Sequence, residues 1–262
     1  METPPNYTQY PRGGNSGGFG GGRGYRGPGV YFDYIGEAFN MVRNNMGVYV
    51  VGALLALVIF YTVQFPFSIL ENTILYGGPL KGAQVDANGF PKINFAGLPV
   101  VMLLSIIPGA VLQAMYCGIS LCALEEADTG KTNLSTMFSG FRNFLPLLGT
   151  VVLSQILMTF GIILLCIPFF FVMGALAFAP LLTVHEALNP IEAIQKSYTM
   201  LKGNVAMFTL FYIATAIVST LGCCACGIGI LFTFPILYIC IALHYREFRG
   251  PLNQGYVAPT VP

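Results

Sequence analysis

The stretch FLPLLGTVVLSQILMTFGIILLCIPFFFVMGALAFAPLLTV, residues 144–184, decides the fold of this chain. It contains no Asp, Glu, Lys, Arg or His, and residues 203–243 form a second stretch of the same kind. Each has about 40 residues, enough for about 60 Å of helix, which crosses a hydrocarbon core about 30 Å thick twice. The sequence therefore predicts two helical hairpins inside a membrane.

The composition of the whole chain supports a membrane protein. Of the 262 residues, 55% are hydrophobic and only 9% are charged. A soluble domain carries about 25% charged residues, so this chain lacks the polar surface that an ordinary soluble enzyme exposes to water. The net charge of +1 predicts no strongly charged partner.

Two more apolar runs precede these stretches, which brings the predicted number of spans to six. The spans cover about 46–67, 98–124, 145–165, 168–184, 205–222 and 227–243. They make up a transmembrane domain over residues 31–245. Residues 1–30, rich in Gly, Tyr and Arg, are predicted to form a disordered tail, and residues 246–262 a short polar one.

The distribution of Lys and Arg predicts the orientation. With both termini in the cytoplasm, that side carries ten of the 12 basic residues, and the outer side keeps only Lys81 and Lys92. Because cytoplasmic loops are enriched in Lys and Arg, we expect a multi-pass protein of the cell membrane with both ends inside.

Each hairpin is preceded by a short amphipathic segment at the predicted cytoplasmic face. The apolar residues recur every three or four positions: Ile35, Phe39, Val42 and Met46; Leu134, Met137, Phe138 and Phe141; Ile191, Ile194, Tyr198 and Leu201. This spacing is typical of interfacial helices. The predicted fold class is therefore all-α: six transmembrane helices as three hairpins, each with an interfacial helix before it.

Basic residues accompany these segments and are candidates for contact with membrane lipid: Arg43, Arg142, Lys196 and Lys202. Apolar side chains in the headgroup layer with cations beside them favour anionic lipid. The segments could equally be joints packed beneath the bundle, and the two interpretations are compatible.

The third joint resembles a known group of proteins. Pro190-Ile191-Glu192-Ala193-Ile194, then Ser197-Tyr198, then Leu201-Lys202-Gly203-Asn204 is similar to a signature of bacterial polytopic membrane proteins. The group includes the membrane domain attached to some glycerophosphoryl diester phosphodiesterases and the YciC-like family. Leu134 to Phe144 resembles the segment before the middle hairpin of that group. The resemblance covers roughly residues 31–245 and implies a six-helix membrane domain whose molecular activity is largely unassigned, so it transfers no catalytic residue to this chain.

Intramembrane catalysis and ion coupling usually need ionisable groups inside the spans, and the predicted spans contain none. The only two histidines, His185 and His244, each follow a span, and we expect a structural or solvated role for both. We therefore predict no enzyme, no catalytic residue and no cofactor. Prolines that would kink the even-numbered spans are Pro108, Pro180 and Pro235.

Four of the seven cysteines lie near the predicted outer turns: Cys166, Cys223, Cys224 and Cys226. Free thiols acting as small apolar residues are the first interpretation. A disulfide from Cys166 to one of the others, or a metal site, are the alternatives.

These features predict a non-enzymatic integral membrane protein that serves as a scaffold or accessory subunit and organises partners or lipid. Its expected partners are membrane lipids and either other proteins or further copies of the same chain. The alternative is a channel or carrier for a neutral or lipidic solute, with a cavity lined by the kinked helices. Three arginines in the tail, Arg12, Arg23 and Arg26, are few for RNA binding, so we expect no nucleic-acid partner. A polar-lined cavity at mid-membrane separates the carrier from the scaffold.

Overall fold

A computed structural model describes residues 26–77, 94–163, 167–222 and 229–250 of the chain. The described residues form helices and contain no strand. The α-helices, in chain order, are α1 (Tyr34–Asn44), α2 (Met46–Tyr76), α3 (Leu98–Leu104), α4 (Ile106–Thr129), α5 (Leu134–Phe138), α6 (Phe144–Ile163), α7 (Ile167–Ala175), α8 (Ala179–His185), α9 (Pro190–Leu201), α10 (Val205–Leu221) and α11 (Ile230–Arg249). Short 3₁₀ turns cover Phe95–Gly97 and Ser139–Phe141. The all-α class is confirmed within these residues.

Four helical segments are long and apolar enough to cross a membrane: Met46–Tyr76, Phe95–Thr129, Phe144–Ile162 and Pro168–His185. A fifth is obtained if α9 and α10, which meet at an angle of 100°, count as one bent span. The long helix α2 keeps large apolar side chains uncovered along one face, including Leu54, Val58, Tyr61 and Phe65. Lipid is the natural neighbour of such a face, so the protein is embedded in a membrane.

Two of the predicted spans are interrupted helices. The second is divided at Ser105 into α3 and α4, and the fourth at residues 176–178 into α7 and α8. A proline follows each break. Because proline has no backbone N–H, it cannot donate a hydrogen bond to the carbonyl four residues earlier, and the helix is interrupted there. Pro108 would have bonded to Leu104, and Pro180 to Leu176. Pro235, by contrast, lies inside the continuous helix α11, as Pro66 does inside α2.

The three predicted interfacial segments differ from one another in the structure. Residues 34–44 and 190–201 are helices, and the second is capped by Asn189 and Glu192 in a capping box. The middle segment forms only a five-residue helix and a 3₁₀ turn. Gly140 in this turn lies directly against α4, where an added Cβ would sit 2.0 Å from the carbonyl oxygen of Ala114.

The apolar face predicted for α1 is only partly the buried one. Val42 is buried, but Phe39 and Met46 are 52% and 45% exposed. The face that packs on the protein is formed instead by Tyr34, Ala38, Met41 and Val42. In the other two segments Met137 and Leu201 are buried, whereas Phe138, Ile191 and Tyr198 are exposed.

Small residues bring helices into close contact within the chain. A Cβ at Gly118 of α4 would lie 1.9 Å from the carbonyl oxygen of Met137, and a Cβ at Gly174 would lie 2.1 Å from Oγ1 of Thr209. A Cβ at Gly149 would lie 2.8 Å from Pro190, and one at Gly161 would lie 2.9 Å from Phe169. At these glycines the close contact is therefore intramolecular.

Candidate functional site: an uncharged cavity beside a charged end

Many charged and ionisable side chains gather where α4, α8 and α11 end, a region called here the charged end. It comprises Glu125, Glu126, Asp128, His185, Glu186 and residues 244–249. Arg246 of α11 donates through Nε to Asp128 of α4 at 2.6 Å, with both side chains largely covered. Tyr49, at the start of α2, donates its hydroxyl to Glu126 at 2.7 Å.

A chain of hydrogen bonds ties α8 to α11 at this end. The Tyr245 hydroxyl donates to Oε1 of Glu186 at 2.8 Å, so it accepts from Nδ1–H of His185 at 3.1 Å. Arg249 then donates to the free Nε2 of His185 at 3.3 Å. One tautomer of His185 satisfies both contacts, and Tyr245 is fully buried. Each of these residues therefore has a hydrogen-bond partner within the protein, although the buried Nε of Arg249 has none among the described residues.

The first described residues are held against the last turns of α11. Glu247, 1% exposed, accepts the backbone N–H groups of Arg26 at 2.6 Å and Gly27 at 3.0 Å. His244 accepts the backbone N–H of Tyr31 on Nε2 at 3.0 Å, while its Nδ1 faces the carbonyl oxygen of Cys240 at 2.8 Å. The two ends of the described chain therefore lie together.

The His244 ring makes these two hydrogen bonds in its neutral form. Its Nδ1 must donate, because a carbonyl can only accept, and its Nε2 must accept, because an amide N–H can only donate. Burial lowers its pKa to about 4, which agrees with that assignment. Tyr34 and Phe211 pack on the ring with centroids 4.9 and 4.3 Å away. A structural or a solvated role was expected for His244, and the structure shows the structural one.

A cavity of about 290 Å³ lies between α4, α6, α7, α8, α10 and α11. Its polar lining comprises Gln113, Tyr116, Cys117, Ser120, Ser154, Gln155, Tyr212 and Tyr238. Apolar side chains, including Met158, Met173 and Leu181, complete the wall. None of the described residues that line it is charged, so the cavity suits a ligand without net charge.

Two details define the chemistry of the cavity. Tyr116 and Tyr238 stack at 4.1 Å between ring centroids and form an aromatic wall. The hydroxyl of Ser154 is buried and has no hydrogen-bond partner in the described protein. An unpaired buried hydroxyl is unfavourable by about 1–3 kcal/mol, so this group favours a bound polar atom, whether of water or of a ligand.

The three predicted kink prolines occupy related places around the cavity. Pro180 lines it, and Pro108 directly precedes the lining residue Gly109. Pro235 lies about one helical turn before Tyr238. The interrupted helices thus provide several of the residues that surround the cavity.

The four predicted basic residues are all exposed, and the structure does not bring them together into one site. Lys196 forms an ion pair with Glu186 at the charged end. Ser197 donates to the carbonyl oxygen of Ala175 at 2.6 Å, and Leu201 is fully buried, so both residues of the third joint hold α9 against the bundle.

The four cysteines near the predicted outer turns, for which free thiols, a disulfide and a metal site were the three interpretations, are residues 166, 223, 224 and 226 and lie outside the described residues. Within the described part of the chain, Cys117, Cys122 and Cys240 are free and buried. No group of three or more His, Cys, Asp or Glu residues able to hold a metal ion occurs in that same part.

The sequence suggested a cavity lined by the Pro-kinked helices as the alternative, but its polar lining residues were not identified, because only ionisable groups were sought within the spans. The sequence pattern that could have identified the lining is the spacing of uncharged polar residues within the spans. Gln113, Tyr116 and Ser120 are spaced three and four apart, which places them on one face of α4, and Ser154 and Gln155 extend the polar lining from α6.

No family model, curated protein or solved structure matches the chain. The resemblance to the phosphodiesterase-associated and YciC-like membrane proteins is therefore still a prediction.

Proposed function

We propose that this protein is a carrier that takes a small neutral or lipidic solute through its central cavity. The observation that supports the proposal is the uncharged polar lining contributed by α4, α6, α10 and α11. A scaffold needs no such cavity, whereas a carrier does. The volume of about 290 Å³ is at the lower end of the range of about 300–1,000 Å³ for ligand pockets, so the solute is small or enters one part at a time.

Six spans are part of the proposal. Arg26 and Glu247 are hydrogen-bonded to each other at the charged end, so both ends of the described chain lie on one side. An even number of crossings is then required. The four long helices, α10 and α11 supply six, as three hairpins whose second arms all end at the charged end. The Lys and Arg distribution assigns that side to the cytoplasm and the protein to the cell membrane.

The test is solute permeability of liposomes that contain the purified protein. Osmotic swelling with urea and glycerol reports small neutral solutes, and exchange of a fluorescent phosphatidylethanolamine between leaflets reports a lipidic one. We expect at least one of these probes to move faster than in protein-free liposomes. Ser154→Leu fills the cavity and removes its unpaired hydroxyl, so it should abolish most of that increase.

A matched control is Ser105→Leu, which makes the same change at an exposed serine between α3 and α4. We expect Ser105→Leu to behave as the wild type. Permeability equal to that of protein-free liposomes for every probe, or an equal loss in both variants, would refute carriage through this cavity.

A scaffold or accessory subunit is the second candidate, favoured by the exposed face of α2 around Tyr61 and Phe65, which are 65% and 68% exposed. Partner helices could pack there. Copurification of a partner protein in mild detergent that is lost in Tyr61→Ala and retained in Ser154→Leu would support this function.

A further inference from the structure

A second depression opens toward the side of the bundle, where α9 turns into α10. Its volume is about 460 Å³, and it is called here the lateral groove. The walls are almost wholly apolar, with α6, α7 and α10 contributing Leu157, Phe171, Val172, Ala175 and Val205. Phe171 is 46% exposed, so the groove is open to the surroundings of the helices.

One end of the groove is polar. Tyr198 and Lys202 line it there, at the C-terminal part of α9 and the turn that follows. Since α9 and α10 meet at 100°, an α10 that crosses the membrane leaves α9 lying along its surface. The polar end then lies at the headgroup layer, and the apolar walls extend from there toward the hydrocarbon core. Tyr and Lys are the side chains that favour this boundary.

The positive charge at the rim is not neutralised by any carboxylate of the described residues. Lys202 is exposed, and no carboxylate among the described residues lies within salt-bridge distance of it. Lys196, on the same helix, is by contrast paired with Glu186. An apolar groove beneath an unpaired ammonium group complements an acyl chain attached to an anionic headgroup.

We propose that the lateral groove binds one anionic phospholipid of the leaflet at the charged end. Lys202 contacts the phosphate of the headgroup, and an acyl chain lies between α7 and α10. The groove is separate from the cavity, although Leu176 lines both. Occupancy of the groove does not depend on carriage through the cavity.

Native mass spectrometry tests the proposal. The full chain in mild detergent receives an equal mixture of phosphatidylglycerol and phosphatidylcholine with identical acyl chains, and the ratio of the two bound lipids is measured. We expect one preferentially bound phosphatidylglycerol. Lys202→Gln should lower the preference about fivefold, the factor that one basic residue contributes near an anionic membrane surface.

The matched control is Arg43→Gln on α1, an exposed basic residue of another interfacial helix, which should leave the preference unchanged. Val205→Trp obstructs the groove and should reduce retention of both lipids, with the melting temperature showing that the variant is folded. No preference in the wild type, an equal effect of Arg43→Gln, or undiminished retention in a folded Val205→Trp would each overturn the proposal. Solute permeability read in parallel separates this failure from failure of the proposed carrier.

Discussion

The charged end and the central cavity both place polar groups among apolar helices, but these groups differ in whether they have hydrogen-bond partners. At the charged end Glu247, Tyr245 and His244 are at most 1% exposed, and each makes hydrogen bonds inside the protein. In the cavity the hydroxyl of Ser154 has no partner. A buried polar group that is fully partnered stabilises a fold, and one left without a partner is available to a ligand.

The largest effect that would test this contrast is expected at Glu247. Replacing Glu247 by Ala leaves the amides of Arg26 and Gly27 without their acceptor. Hydrogen bonds to a charged group contribute about 1.5–3 kcal/mol each, so the free energy of unfolding should fall by about 3 kcal/mol or more. Thermal unfolding in mild detergent measures the loss, and limited proteolysis should show cleavage near Tyr31.

Glu247→Gln is the control, because it keeps one acceptor oxygen and the shape of the side chain. It should recover about half of the loss. If Glu247→Ala unfolds at the wild-type temperature and is cleaved no faster, the carboxylate does not anchor the start of the described chain.

An effect of intermediate size is expected at Tyr245. Tyr245→Phe keeps the buried ring but removes the donor to Glu186 and the acceptor for His185. The loss should be about 2 kcal/mol, since the bond to Glu186 is charge-assisted. Tyr198→Phe, the same substitution at a ring that is 51% exposed, should change stability by less than about 0.5 kcal/mol. Equal stability of the two variants would argue against this network.

The sequence predicted the all-α class and the placement of charge, because absence of charge over 144–184 needs no tertiary information. It could not predict which polar groups find partners. The match of Glu247 with two amides some 220 positions earlier depends on how α11 packs, as does the pairing of Arg246 with Asp128. Which side of α1 packs on the protein could not be predicted for a related reason: Phe39 and Tyr34 are both aromatic, and only packing decides which one is covered.

The candidate site was harder to predict than the fold. The kink prolines indicated the right helices, since Pro180 lines the cavity and Gly109 follows Pro108. Ser154, which has no hydrogen-bond partner among the described residues, lies one helical turn after Thr150, which has one, and the sequence does not distinguish the two.

That pair of residues offers the smallest and most discriminating test. On α6, Thr150 is fully buried and lies with its hydroxyl 2.8 Å from that of Thr183, whereas Ser154, one turn later, has no partner. Thr150→Val should lower the free energy of unfolding by about 1 kcal/mol, because it leaves the Thr183 hydroxyl with one bond fewer. Ser154→Ala should leave the free energy unchanged or raise it by up to about 1 kcal/mol, because it removes an unpaired buried hydroxyl. A loss at Thr150 and no loss at Ser154, measured by thermal unfolding under identical conditions, are what the contrast between structural and ligand-facing polar groups requires. A loss of stability in Ser154→Ala as large as that in Thr150→Val would mean that Ser154 is a structural residue.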